Sequence, residues 1–212
     1  MIETWIADIG PLCEEAVCRR YYDRLPRWRR DKADAYRQPA DRARSVAAWT
    51  LYTKMREYYA LSEETIYNLS HSGRYALCAV ETDAGRESEG VLVGCDVEMI
   101  GKERPTVARR FFCRTEEARI AGSRTEEERA ETFYRFWVLK ESFVKAVREG
   151  LALELRSFEI QLDGPEPVLV RQPEKYPQRF YYKEYTPEAG DARAAVCSTD
   201  PEFGKLREIR LV

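Results

Sequence analysis

The chain has 212 residues, 44% of them hydrophobic and 34% charged, with 35 Lys and Arg against 37 Asp and Glu for a formal net charge of −2. Such a composition supplies both a core and a solvated surface, which excludes a disordered or fibrous chain. Near-neutrality argues against nucleic acid held on a uniformly basic surface. No apolar run approaches membrane-spanning length, and the first residues lack the basic start and apolar stretch of a signal peptide, so a cytoplasmic chain with no membrane or nucleic-acid partner is expected.

Six cysteines are scattered at 13, 18, 78, 95, 113 and 197 with no Cys-x-x-Cys pair and a single histidine, His71. That pattern fits reduced, half-buried thiols and argues against a zinc site. Any metal must be held by oxygens.

Along the chain, residues 2–8 read as a strand, and Pro11 opens a helical stretch to about Leu25. Residues 24–44 carry eight basic side chains against three acids, a local +5 that leaves −7 for the remainder. A helix is expected from Asp41 to about Leu61. Three strands follow at Ile66–Leu69, Tyr75–Thr82 and Val91–Val97, the first two joined by a turn at Ser72-Gly73. The polar, glycine-containing run 83–90 is the best boundary, giving halves 1–88 and 89–212. A helix-rich region from Pro105 to Gly150 precedes β-like runs at 157–162, 167–171, 179–186, 192–199 and 208–212. Strands and helices are thus mixed in each half, an α+β layout.

Three segments carry chemistry. In Gly94-Cys95-Asp96-Val97-Glu98 an apolar strand offers two acids at i and i+2, on one face. A hard divalent cation such as Mg²⁺ would relieve their repulsion, although the same pair also fits a strand end whose acids face water. On the helix around Trp137-Val138-Leu139-Lys140-Glu141-Ser142-Phe143-Val144-Lys145, Trp137, Glu141 and Lys145 share one stripe. Thr125 and Glu128 have capping-box spacing at its start. Glu141 and Lys145 read either as a third carboxylate and a cation for the metal site or as a surface ion pair. Lastly, Tyr67-Asn68-Leu69-Ser70-His71-Ser72-Gly73 places the only histidine in a polar, turn-prone loop between two strands, among hydroxyls and a glycine that can cradle phosphate.

In combination, Asn-x-Ser-His-Ser, Gly-x-Asp-x-Glu and Trp-x-x-Lys-Glu-Ser-x-x-Lys in this order resemble the 4′-phosphopantetheinyl transferase superfamily, and within it the larger, monomeric, surfactin-synthetase-activating type. The resemblance extends to Arg109-Arg110-Phe111-Phe112-x-x-Thr115-Glu116 and to Gly150-Leu151. It implies two similar α+β halves related by a pseudo-twofold, with coenzyme A in the cleft between them. It further implies Mg²⁺ on Asp96, Glu98 and Glu141, and an apo acyl or peptidyl carrier protein as partner. A serine of that carrier would attack the β-phosphate of coenzyme A, leaving phosphopantetheine on the serine and releasing 3′,5′-ADP. Glu141, or a metal-bound water beside it, would take the serine proton, and Lys145 would steady or protonate the departing phosphate. Arg29, Lys32, Arg44 and Ser45 would hold the 3′-phosphate and neighbouring adenosine atoms, with Ser70 and His71 on the phosphates from the other side.

One departure stands out. The family's Gly-Lys-Pro segment upstream of Asn-x-Ser-His is missing, which leaves Lys54 as the nearest replacement cation and motivates an alternative, a non-catalytic paralogue that binds carrier protein or coenzyme A. A metal-dependent phosphodiesterase using the same acids is a third reading.

Overall fold

The computed structural model describes residues 1–83 and 90–212. The expected boundary at residues 88 and 89 lies outside the described residues. In chain order the first half contains β1 (Ile2–Asp8), α1 (Glu15–Tyr22), α2 (Arg27–Asp34), α3 (Pro39–Tyr59), β2 (Tyr67–Ser72) and β3 (Tyr75–Glu81). The second contains β4 (Val93–Met99), α4 (Pro105–Phe111), α5 (Arg114–Ala121), α6 (Glu126–Ala146), β5 (Glu159–Gln161), β6 (Val168–Arg171), β7 (Tyr181–Tyr185), β8 (Ala192–Ser198) and β9 (Phe203–Arg210).

The strands form sheets of order β2-β3-β1-β9 and β4-β8-β7, with β5 and β6 paired apart. β1 pairs antiparallel with β3, which pairs antiparallel with β2; β4 pairs antiparallel with β8, which pairs antiparallel with β7. The path β1-α3-β2-β3 therefore has the same connectivity and strand order as β4-α6-β7-β8. Two similar α+β halves are what the structure contains.

Alternating side chains explain the layering. Trp5, Ala7, Cys78 and Val80 face α3, where Val46, Leu51 and Met55 are buried against them. From the other face of the same strands, Ile2, Ile6, Leu77 and Ala79 meet Val93, Cys95, Val97, Ala194 and Val196 of the second sheet. The outer face of that sheet, with Ala195 and Cys197, is covered by Phe136, Leu139 and Phe143 of α6. Helix, sheet, sheet and helix thus stack in four layers, with a 21-residue helix on each outside.

Several expected bounds move. The stretch opened by Pro11 is a 3₁₀ turn at Gly10–Cys13 followed by α1, with Glu14 extended between them. The basic segment contains a helix of its own, α2. The last strand begins at Phe203 rather than Glu208, because it is a mostly exposed edge strand whose register is set by parallel pairing with β1. At the start of α6, Thr125 accepts from the Glu128 amide (3.1 Å), while Glu128 reaches one residue beyond the cap to the Arg124 amide (2.9 Å).

One contact sets how near the second long helix can come to its sheet. A Cβ at Gly94 would run into the Ser142 carbonyl oxygen and the Ala146 backbone. Absence of a side chain at 94 lets the last turns of α6 lie directly on β4. Gly94→Ala should therefore destabilise the protein by about 1–3 kcal/mol through overpacking. The check is the urea midpoint; an unchanged midpoint would mean that the helix can yield at no cost.

Candidate active site

The two edge strands β2 and β4 lie together on one side of the sandwich, and alternation along β2 divides its side chains between two tasks. Asn68, Ser70 and Ser72 turn towards β4. Asn68 Oδ1 accepts from the Cys95 amide (3.0 Å), which satisfies an edge donor of β4. Ser70 Oγ donates to Asp96 Oδ1 (2.8 Å), and Ser72 Oγ donates to Glu98 Oε2. From α6, Lys145 Nζ donates to Asp96 Oδ1 (2.6 Å) and to Ser70 Oγ (2.8 Å).

Asp96 is only 4% exposed, and its second oxygen, Oδ2, is buried without a hydrogen-bond partner. A buried unsatisfied oxygen costs about 1–3 kcal/mol, and more on a charged group, so it invites a cation. Burial, and then the Asp96 charge, raise the pKa of Glu98; burial, Asp96 and Glu98 do the same to Glu141. Burial opposes the charge on Lys145, yet the neighbouring Asp96 leads a group of contacts that hold its pKa above the ordinary lysine value. The result is a lysine that stays protonated beside three acids that repel one another. These donors are hard oxygens of the type Mg²⁺ takes. Among the described residues, the acids whose oxygens all come within 4.8 Å of one another are instead Glu81, Asp83 and Asp200. That cluster is already engaged: Asp83 (2.7 Å) and Asp200 (2.9 Å) bind the Met1 ammonium. An ammonium already occupies two of its three acids, whereas Asp96 keeps an oxygen with no partner, so Asp96 marks the better cation site.

The opposite face of β2 carries Tyr67, which stacks on Tyr52 of α3 (3.9 Å between centroids). Beside it opens a cleft of about 480 Å³ lined by Arg29, Lys32, Tyr36, Ser45, His71 and Arg148, among others, and by no Asp or Glu among the described residues. Arg29 is 6% exposed; its guanidinium donates to the Ser45 carbonyl (3.1 Å) and lies 4.9 Å from the Trp49 ring centroid, while its Nε is buried and unpartnered. Burial and the cations Arg44 and Lys145 lower the His71 pKa, so the imidazole is neutral at neutral pH and fits positioning better than charge pairing.

Four of the six residues expected to hold the nucleotide, Arg29, Lys32, Ser45 and His71, share this cleft. Ser70 belongs to the carboxylate network on the other face of β2. Arg44 is tied to the Gly73 carbonyl (2.7 Å) and to Asp41. Lys54 is not among the cleft residues: nine positions from Ser45, it lies about two and a half turns on, facing the opposite way. The polar alternation Asn68, Ser70, Ser72 signals the contacts of Asn68 and Ser72 with β4. Arg148 gives no such signal.

Behind the site, the first lysine of the α6 motif is structural. Lys140 and Glu116, 0% and 1% exposed, pair at 3.0 Å. Lys140 also donates to the Leu155 (2.8 Å) and Phe158 (2.9 Å) carbonyls. Glu116 accepts from the Cys113 (2.7 Å) and Ile160 (2.9 Å) amides. Every donor and acceptor of the pair is used, so α5, α6 and β5 are joined at one point.

Fold and site together define an α+β protein whose two halves set a lysine-paired carboxylate group beside a basic cleft. A family model described as the 4′-phosphopantetheinyl transferase superfamily matches residues 92–197, half of the chain, and the chain belongs to that superfamily. It is similar to 4′-phosphopantetheinyl transferase Sfp of Bacillus subtilis (strain 168), 32% identical over 137 residues, covering 65% of this chain and 56% of that protein. It is also similar to 4′-phosphopantetheinyl transferase HetI of Nostoc sp., 36% identical over 108 residues, covering 49% of this chain and 40% of that one. The matches span about half the length of these relatives. Among solved structures, Thermotoga maritima holo-[acyl-carrier-protein] synthase aligns over 52% of this chain and 64% of that one at 19% identity, with a TM-score of 0.44, a likeness too slight to argue from.

Lys140→Ala would leave Glu116 charged and buried without its partner, a loss of about 3–5 kcal/mol. Denaturation of this variant should show that loss, and the double variant Lys140→Met/Glu116→Leu should recover a large part of it. Equal instability of both would assign the loss to packing.

Proposed function

We propose that the protein is a Mg²⁺-dependent 4′-phosphopantetheinyl transferase acting as a cytoplasmic monomer. It would move 4′-phosphopantetheine from coenzyme A to a serine of an apo acyl or peptidyl carrier protein and release 3′,5′-ADP. The observation that carries this reading is the pairing of Lys145 with Asp96, whose other oxygen is bare, across β2 from a cleft lined by cations and by no described acid.

Each group has a part that its environment suits. Arg29 and Lys32 offer donors to the nucleotide phosphate, and neutral His71 orients a phosphate oxygen. Asp96, Glu98 and Glu141 would hold Mg²⁺, which supplies charge neutralisation at the pyrophosphate. The carrier serine oxygen forms a bond to the β-phosphorus as the bond from that phosphorus to the 3′,5′-ADP oxygen breaks. Glu141 accepts the serine proton. Lys145, kept protonated, stabilises the departing phosphate. Phosphoryl chemistry asks a protein chiefly for such positioning and charge. The non-catalytic alternative is not favoured, since all three acids and Lys145 are retained. Among the described residues no helix is long and apolar enough to cross a membrane.

Incubation with coenzyme A, Mg²⁺ and a panel of apo carrier proteins should add one phosphopantetheine to a carrier, read by intact mass; no gain across the panel would defeat the reading. Glu141→Gln and Asp96→Ala should each abolish transfer while leaving the fold intact by circular dichroism.

A pH dependence follows from the raised carboxyl values. A carboxyl group whose pKa is higher in the folded than in the unfolded chain stabilises folding most in acid, and that contribution is lost as pH rises from the ordinary carboxylate range through the raised value. Metal-free protein should therefore lose stability over that window because of Glu98 and Glu141. Mg²⁺ should raise the melting temperature above the window and have no effect below it. The same Mg²⁺ effect in Asp96→Ala would contradict the assignment.

A further inference from the structure

Arg148 sits two residues past the end of α6 in the left-handed region, at φ 58°. An L residue there carries a cost of about 1 kcal/mol that glycine avoids. Such strain persists when something else requires the residue, and it collects at binding sites. No contact within the protein accounts for it: the Arg148 side chain is exposed and makes no hydrogen bond or ion pair with any described residue. The adjacent acid does not neutralise it either, because Glu149 is taken by Lys175 (2.8 Å) and by the Tyr176 hydroxyl (2.5 Å). Yet Arg148 lines the same acid-free cleft as Arg29, Lys32 and His71. A guanidinium with free donors, beside other cations and with no described acid in the lining, fits a multiply charged anion.

We propose that Arg148 is an anion-binding residue of this cleft, its guanidinium donating to a phosphate oxygen of the coenzyme A nucleotide. The proposal rests on the reading of the cleft as the coenzyme A site. It adds a ligand-binding cation just beyond α6, so that one helix end serves the carboxylate group, through Lys145, and the residue two positions past it serves the nucleotide, through Arg148. The contact is to the bound nucleotide, and it should affect affinity rather than the transfer step.

Calorimetric titration of the full chain with 3′,5′-ADP tests this without carrier or turnover. Wild type should bind, Arg148→Gly should bind about tenfold more weakly, and Arg148→Lys should fall between them. The deficit of Arg148→Gly should shrink at high salt. Its urea midpoint should equal or exceed that of wild type, since glycine relieves the backbone. Unchanged affinity in Arg148→Gly overturns the proposal and leaves the cleft reading standing. Weaker binding with a lower midpoint also overturns it, by making the residue structural. Absence of binding to 3′,5′-ADP and to coenzyme A by wild type defeats the cleft reading, and this proposal with it.

Discussion

Everything at the site depends on how closely α6 can lie on β4. Gly94 removes the side chain that would hold the helix off, and the last turns of α6 settle against the strand that carries Asp96 and Glu98. Only at that separation does the Lys145 ammonium reach Asp96 at 2.6 Å. The side-chain contacts from Asn68, Ser70 and Ser72 then fix β2 to β4 from the other half, so the sheet edges and the reactive groups are positioned by the same few bonds. The buried Lys140–Glu116 pair secures the back of the helix one turn before Lys145.

Charge is distributed over this frame in a way the net figure of −2 conceals. Acids gather where β4 meets α6, under a single lysine, and cations gather where α2 and α3 meet the other face of β2. A ligand spanning both regions must be a polyanion at one end and must bring or recruit positive charge at the other. Such a division restricts the ligand more tightly than either patch would by itself.

Much of this was legible in the residues. The i, i+2 spacing of Asp96 and Glu98 and the helical stripe of Glu141 and Lys145 report directly on which face each side chain occupies, because strand and helix periods are fixed by backbone geometry. Ser70 and His71 were harder to separate. Adjacent residues of a strand point to opposite faces, so the histidine went to the cleft and the serine to the carboxylates. Arg148 was hidden because the glycine at 150 suggests the helix stop, whereas Arg148, two positions earlier, is left-handed as well. The start of β9 was hidden for a related reason: Gly204, Lys205 and Arg207 carry no apolar alternation, and only the partner strand makes them a strand.

That last pairing has a consequence for how the chain is made. β1 is synthesised first, and the strand that covers its outer edge follows about two hundred residues later. On the ribosome the first half can form its helices and its three strands, but it must wait with one row of amides and carbonyls unsatisfied. Translation at ~5–20 residues per second leaves that edge open for ten seconds or more, long enough to pair with another nascent chain. Expression yield should consequently be governed by the protection given to one sheet edge during synthesis, more than by the stability of the finished protein.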